Sequence, residues 1–272
     1  MTSEQKAMLR FPGFTDRAVT FSYDDGVVYD ERLIAIFDSY GMKATFNLNS
    51  GLFSEWRRLS EQDAVRVYGS GNHEIAVHGE KHLHLSALSR DEVSREIGYD
   101  RNNLKRIFGV DAVGMAYAYG DYNPQVIRYL RDEGIRYART VKATLDFGFP
   151  EDWLAWHPTC HHNDERLQSL IAQFSGEDAG GNGEAKLLYI WGHSYEFNDN
   201  DNWFVIEDAC SRLAAVPGLW KATNGAVYRY VNAFLNIEYA KGERLYNPSP
   251  VDLYLCINDR NIRLPAGKEI NF

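Results

Sequence analysis

The sequence predicts an α/β fold built on a parallel sheet, open or closed into a barrel. Short β-type runs alternate with helical patterns along most of the chain, the rhythm of repeated βα units. With 272 residues, 44% hydrophobic and 25% charged, the chain is long enough for one or two domains and a substantial core. Its chemistry-bearing side chains gather just after the apolar runs, at the C-terminal strand ends where such sheets build their sites.

The first unit is AVTFSY (18–23) followed by the helical YDERLIAIFDSYG, stopped by Gly41. KATFNLN (43–49) precedes the helical SEQDAVRVYGSG. HEIAVHG (73–79) precedes a long helix that opens with the capping-box spacing of Ser89 and Glu92. AVGMAYAYG (112–120) leads to a helix capped by Asn123 and started by Pro124, and IRYARTV (135–141) reads as a fifth strand.

The rhythm then loosens. Residues 142–164 read as a long loop, 165–174 as a helix, SGEDAGGNGEA (175–185) as a glycine-rich surface loop and KLLYIWGH (186–193) as a strand. A helix over 202–216, a short strand over 218–223 and a helix over 226–237 capped by Asn224 follow. From residue 243 onward, the alternation in VDLYLCI and the turn at NDRN predict antiparallel strands with no intervening helix.

Composition narrows the partners. Acidic residues outnumber basic ones 38 to 29, and a formal charge of -9 argues against a nucleic-acid partner. Three widely spaced cysteines, Cys160, Cys210 and Cys256, with no CxxC pair, read as reduced thiols. The N-terminus lacks the apolar run of a signal peptide and no stretch approaches a membrane span, so no membrane association and a cytoplasmic location are expected. The 6 Trp, 17 Tyr and 14 Phe are mostly core, with exposed rings suited to stacking on sugars.

Four strand ends carry candidate chemistry. FSYDDG places Asp24 and Asp25 side by side before a glycine, a composition that also makes an ordinary turn. HGEKHLH sets His78 and His82 four apart, a metal-ligand spacing, with His84 outside the site. WGHSY offers His193 after Gly192, flanked by Trp191 and Tyr195, and AYAYGD adds Tyr117 and Tyr119, rings that wall a pocket or fill a barrel rim. Two histidines and one aspartate form a three-ligand set for a catalytic divalent metal that leaves room for water. Nitrogen and oxygen donors suit zinc, and also cobalt or nickel. The second aspartate is then placed to take a proton from that water.

In this order SYDDG, HGEKH, AYAYG and WGH resemble the motifs of the polysaccharide deacetylases, the NodB-homology carbohydrate esterases of family 4, over roughly residues 15–235. The resemblance implies a distorted barrel of about seven βα units over 15–240, with a small β extension over 241–272 packed on it. It implies a general base at Asp24, one metal ion, zinc first, on Asp25, His78 and His82, a general acid at His193, and an oxyanion donor near Tyr119. The implied reaction removes an acetyl group from an N-acetylated carbohydrate; the alternatives are a small-amide hydrolase related to allantoinase and a silent carbohydrate binder. A homo-oligomer is compatible with it.

The third motif departs from the family pattern: Ala116 stands where the family has the arginine that pairs with the base, and Ala118 replaces its proline. Arg139 on the next strand is the candidate substitute. Asp146 or Asp152 is the candidate for orienting His193, and His161 and His162 line substrate or stabilise the loop.

Overall fold

The computed structural model describes residues 7–176, 183–240 and 244–272. Strands β1 (Met8–Arg10), β2 (Arg17–Asp24), β3 (Ala44–Leu48), β4 (Glu74–Val77), β5 (Gly114–Ala116), β6 (Tyr137–Arg139), β7 (Cys160–His161), β8 (Lys186–Gly192) and β9 (Trp220–Lys221) come first. They are followed by β10 (Glu238–Ala240), β11 (Arg244–Tyr246), β12 (Leu253–Ile257), β13 (Arg260–Leu264) and β14 (Glu269–Asn271). The helices are α1 (Asp30–Ser39), α2 (Glu61–Tyr68), α3 (Arg90–Phe108), α4 (Pro124–Asp132), α5 (Leu167–Ser175), α6 (Ser194–Asp199), α7 (Phe204–Ala214) and α8 (Asn224–Leu235).

Seven strands form one curled sheet in the order β6-β5-β4-β3-β2-β8-β7, every pair parallel, as in a NodB-type barrel. The first half of β2 also pairs with β9, while its second half pairs with β3. β2 is the central strand, and all its residues from Ala18 on are buried, because helices cover one face and the barrel interior the other.

The segment read as a loop over 142–164 draws the two ends of the sheet together. Trp156 exchanges backbone hydrogen bonds with β6, through Ala138 and Thr140, and Thr159 and His162 donate to Tyr189 and Trp191 of β8. Its strand signal was hidden because Trp156, Pro158 and the two histidines offer no two-residue alternation. Short strands replace the longer ones expected at 112–120 and 135–141 for a related reason: the chain turns inward early to place Tyr117 and Arg139.

Local chemistry explains the helix ends. Ser89 and Glu92 form the capping box, Asn123 accepts from the amides of Gln125 and Val126, and Gly41 leaves α1 in a left-handed conformation. The cap of α8 is Thr223, not Asn224. The Asn224 side chain is buried inside the barrel, where it bonds Thr20 and Tyr189. The helix expected from 202 starts at Phe204, and a short helix, α6, precedes it directly after His193. The glycine-rich segment lies partly outside the described residues.

The C-terminal strands are antiparallel and helix-free, and the β12–β13 hairpin turns through Asn258 and Asp259, both left-handed, as a two-residue turn requires. Strand β1 pairs with β12 and β10 with β11, so residues before 241 complete both small sheets. With α8 they enclose a second apolar cluster around Phe11, Tyr230, Leu245 and Leu255. The three cysteines are free and buried.

One buried acid joins three helices. Asp30, at the start of α1, receives Tyr68 of α2 and Ser194 of α6, and burial pushes its carboxyl up from 3.8 to about 7. The folded state therefore holds a proton that the unfolded chain has released across that window, and stability falls as pH rises through it. Asp30→Asn is expected to flatten this decline, gaining on the order of 2–4 kcal/mol over the native chain by about pH 8. Urea unfolding across that pH range measures it; native stability that climbs between about pH 5 and pH 8 would contradict the assignment.

Candidate active site

The end of β2 delivers Asp24 into the barrel mouth, 2% exposed. A bare carboxylate there would be costly, and three neighbours satisfy it. Asn47 of β3 donates to Oδ1 at 2.8 Å, His78 stands 3.7 Å from Oδ2, and the fully buried Arg139 guanidinium pairs with Oδ2. Burial alone would raise the Asp24 carboxyl; Arg139, aided by His78, His193 and Asn47, more than offsets it and holds the pKa below the usual value. Arg139 is the register partner of Ala116 on the adjoining strand. The guanidinium thus arrives from one strand over, beside the alanine that leaves space for it. Trp191 covers its other face at 4.2 Å.

Asp25 leaves the strand with a φ of 88°, a left-handed value that turns its carboxylate away from its neighbour's and toward the histidines. Its Oδ1 lies 3.9 Å from His78 Nε2 and 3.8 Å from His82 Nε2, and the two imidazole nitrogens are 3.2 Å apart. His78 donates its Nδ1 proton to the carbonyl of Ala116 at 2.9 Å, which leaves the Nε2 lone pair facing the cluster. His82 is kept unprotonated: burial, then the neighbouring His78, pushes it down to about 4. Asp25 Oδ1 accepts no hydrogen bond, although Arg58 stands 3.1 Å away. Two imidazole nitrogens and a carboxylate oxygen that accepts no hydrogen bond, all within 4.8 Å, fit a divalent cation bound by nitrogen and oxygen.

Helix α3 holds this loop. Its carboxylates Glu96 and Asp100, four apart on the buried face, accept from the amides of Lys81 and Leu83 and from those of His78 and Ser50. Gly79 lies between them because its φ is 85° and a Cβ would sit 2.6 Å from Glu96. Two acids on an otherwise apolar helix face were the available sequence signal for these supports.

His193 follows β8 and precedes α6. Its Nε2 faces Asp24 Oδ2 at 3.9 Å, while Nδ1 stands 3.4 Å from Glu196 on the first turn of that helix. Burial alone would lower the His193 pKa, but Glu196, with Asp24 and Asp25, raises it. Glu196 also collects His161 Nε2 at 3.2 Å and His162 Nε2 at 3.0 Å, and the three imidazoles hold its carboxyl far below the usual range against the opposing effect of burial. His161 Nδ1 accepts from the amide of Asn163, which places that ring's proton on Nε2, toward Glu196. Glu196, His161 and His162 form a second cluster within 4.8 Å, in which His161 directs its proton at the carboxylate while His162 Nε2 makes no hydrogen bond. Gly192 is required beside it, since a Cβ would meet His162 at 1.9 Å.

The carboxylate beside His193 is thus Glu196, not Asp146 or Asp152. Asp146 bonds the amide of Phe147, and Asp152 caps the turn at 153–155 and pairs with Arg131. Glu196 was legible as an acid three residues after the histidine. Arg58, from the loop after β3, carried no such signal. Tyr119, left-handed with a φ of 57° and 59% exposed, lies edge-on to His82 and stacks on His84. Tyr117 is buried packing, donating to the Leu154 carbonyl. Tyr195 borders His193 at 5.1 Å between ring centroids.

A parallel barrel with paired carboxylates, three histidines and a buried arginine at its C-terminal strand ends has the parts of a hydrolytic centre. The polysaccharide deacetylase family model matches residues 12–138, from before β2 to β6, and over this part the chain is similar to that family. Solved structures share the fold. A candidate polysaccharide deacetylase of Mycobacterium smegmatis is 15% identical, over 84% of this chain and 94% of that one, at a TM-score of 0.58. A family 4 carbohydrate esterase of Streptomyces lividans, in complex with acetate, is 16% identical over 76% and 92%, at 0.53. The family 4 pseudoenzyme BA3943 of Bacillus anthracis is 14% identical over 78% and 66%, also at 0.53. The chain spans 61% of the length of a Streptococcus pyogenes deacetylase structure and 44% of that of a Bacillus anthracis one. No curated protein matches the chain. Among the described residues no helix is long and apolar enough to cross a membrane.

Arg139→Met is expected to cost about 3–5 kcal/mol, because it strands a buried carboxylate. Combined with Asp24→Asn the loss should shrink, with a coupling of at least about 1 kcal/mol in a double-mutant cycle read by urea unfolding. Strictly additive losses would show that the two side chains do not depend on each other.

Proposed function

We propose that the chain is a metal-dependent deacetylase that hydrolyses the acetyl amide of an N-acetylated carbohydrate. One observation carries this reading: Asp24, held ionised by Arg139, stands between the Asp25, His78 and His82 set and the Nε2 of His193. The acetate held by the similar Streptomyces lividans esterase agrees in kind with such a product.

A divalent cation on Asp25, His78 and His82, with zinc the first choice and cobalt or nickel compatible, supplies Lewis acidity toward water and the acetyl carbonyl. Asp24 Oδ2 takes the proton of the attacking water as general base, while Arg139 keeps it anionic beforehand. His193, protonated to higher pH by Glu196, delivers a proton from Nε2 to the leaving amine. Tyr119, whose ring lies edge-on to His82, supplies the oxyanion donor through its backbone N–H in this scheme. The pair divides one job, with Asp25 holding the cation and Asp24 moving the proton.

Acetate release from acetylated sugars and small amides, with and without chelator, tests the reading. Release from acetylated sugars is expected to vanish with chelator and return with added zinc, cobalt or nickel. Persistence in chelator would remove the metal, release from small amides alone would move the substrate class, and no release from any would favour a silent carbohydrate binder. Asp24→Asn should keep bound metal yet lose roughly 100- to 10,000-fold in kcat, whereas His78→Ala should lose the metal itself, as metal analysis of the purified protein will read.

Glu196→Gln should lower kcat more than it changes KM and should bring down the pH at which His193 loses its proton, followed by the ring's nitrogen resonances. An unchanged His193 titration would deny Glu196 its positioning role.

A further inference from the structure

Glu196 faces His193 with one carboxylate oxygen and two further histidines with the other. His161 ends β7, His162 follows it, and Glu196 lies on the first turn of α6 after β8, so the parallel pairing of β7 with β8 brings the three together. His161 Nε2 and His162 Nε2 stand 3.2 and 3.0 Å from Glu196 Oε2, and the three donor atoms all lie within 4.8 Å of one another. A tetrahedral ion with bonds of about 2.0–2.1 Å holds its donors roughly 3.3 Å apart. The cluster has that spacing, and its two contacts to the carboxylate are shorter than the 3.8 and 3.9 Å that separate Asp25 from His82 and His78.

Nearness to the carboxylate does not satisfy these rings. His162 is 1% exposed, yet neither of its nitrogens makes a hydrogen bond. At 3.0 Å the misfit with Glu196 is one of direction rather than distance, since a ring N–H must point along its bond toward the acceptor. Buried polar atoms are nearly always partnered, so a nitrogen left like this needs a ligand to account for it. Burial also keeps the ring unprotonated, pushing it down to about 4. Stacking on Phe197 at 4.0 Å and on Tyr23 at 5.7 Å between ring centroids fixes its orientation.

One donor has to adjust. His161 accepts the Asn163 amide on Nδ1, so its hydrogen must move from Nε2 to Nδ1 before Nε2 can bind an ion, and the amide of the exposed Asn163 then turns to water. That exchange makes the cluster a weaker site than the first, where His78 already turns Nε2 inward. Solvent reaches it, because the side chains of His161 and Glu196 are 24% and 22% exposed.

We infer that His161, His162 and Glu196 form a second divalent-cation site, suited to zinc by its nitrogen and oxygen donors, which fills after Asp25, His78 and His82 and draws Glu196 away from His193. A cation there sets a double positive charge beside His193 and occupies the carboxylate that favours its protonated form. Excess zinc is therefore an inhibitor. That consequence rests on the deacetylase reading, whereas the site itself does not.

The full chain, stripped with chelator and dialysed, is titrated with zinc while bound metal is counted. Two ions per chain are expected. His78→Ala, metal-free when purified, should still take up one ion in the titration, and adding His161→Asn or His162→Gln to it should weaken that uptake at least about 10-fold. Cobalt in His78→Ala should show the visible absorption of a four-coordinate ion, lost when His161→Asn is added. Because His162 is buried, the partly exposed His161→Asn is the variant that keeps the fold, which thermal unfolding checks. No uptake by His78→Ala, or uptake that neither histidine substitution weakens, would overturn the second site.

These counts need no substrate, so they stand whether or not acetate is ever released. A native count of one that survives His78→Ala and is lost in His161→Asn would support the second site and deny the first. With acetate release as the readout, inhibition by excess zinc should need at least about 10-fold more zinc in His161→Asn than in the native chain. Equal inhibition of both would overturn the link to His193.

Discussion

The buried pair of Asp24 and Arg139 is the constraint on which the site depends. A carboxylate 2% exposed cannot stay ionised unless a fixed positive charge lies beside it, and a guanidinium with no exposure cannot be buried without such a partner. Each makes the other possible. The pair also spans the sheet, since Arg139 comes from the edge strand β6 and Asp24 from the central strand β2. Trp191 on β8 covers the guanidinium, and the segment around Trp156 brings the two ends of the sheet close enough for this to happen. Closing the barrel and keeping Asp24 charged are one structural event.

Around that pair the fold separates two kinds of histidine. His78 turns Nε2 inward because its Nδ1 bonds a backbone carbonyl, and His82 is kept neutral by burial beside its neighbour. His193 is kept protonated to higher pH by the carboxylates that face it. Residue type is the same in all three; backbone position and hydrogen-bond partner assign the difference. The supports come from helices rather than strands: Glu96 and Asp100 reach the HGEKH loop from α3, and Glu196 reaches His193 from α6.

Much of this was legible in the residues. The βα rhythm identified the parallel sheet, capping chemistry located the starts of α3 and α4, and the adjacent carboxylates with HGEKH and His193 marked side chains that the fold brings together as a candidate site, because strand ends and ligand spacings are local patterns. The closing segment at 156–162 was not legible, since its pairing is irregular and non-local. Glu196 was passed over for Asp146 and Asp152 because an acid at three residues' spacing is an ordinary helix-start feature until the helix is seen to begin at the histidine.

The sequence by itself determined which side chains are candidates for chemistry, because donor type and short-range spacing are written in the covalent order. It also exposed the missing arginine at Ala116. Only the tertiary structure decided what stands in that place. Arg139 lies 23 positions further on, and parallel pairing in register sets it directly beside Ala116. A sheet brings such residues together through hydrogen bonds between distant segments, and no local pattern encodes that distance.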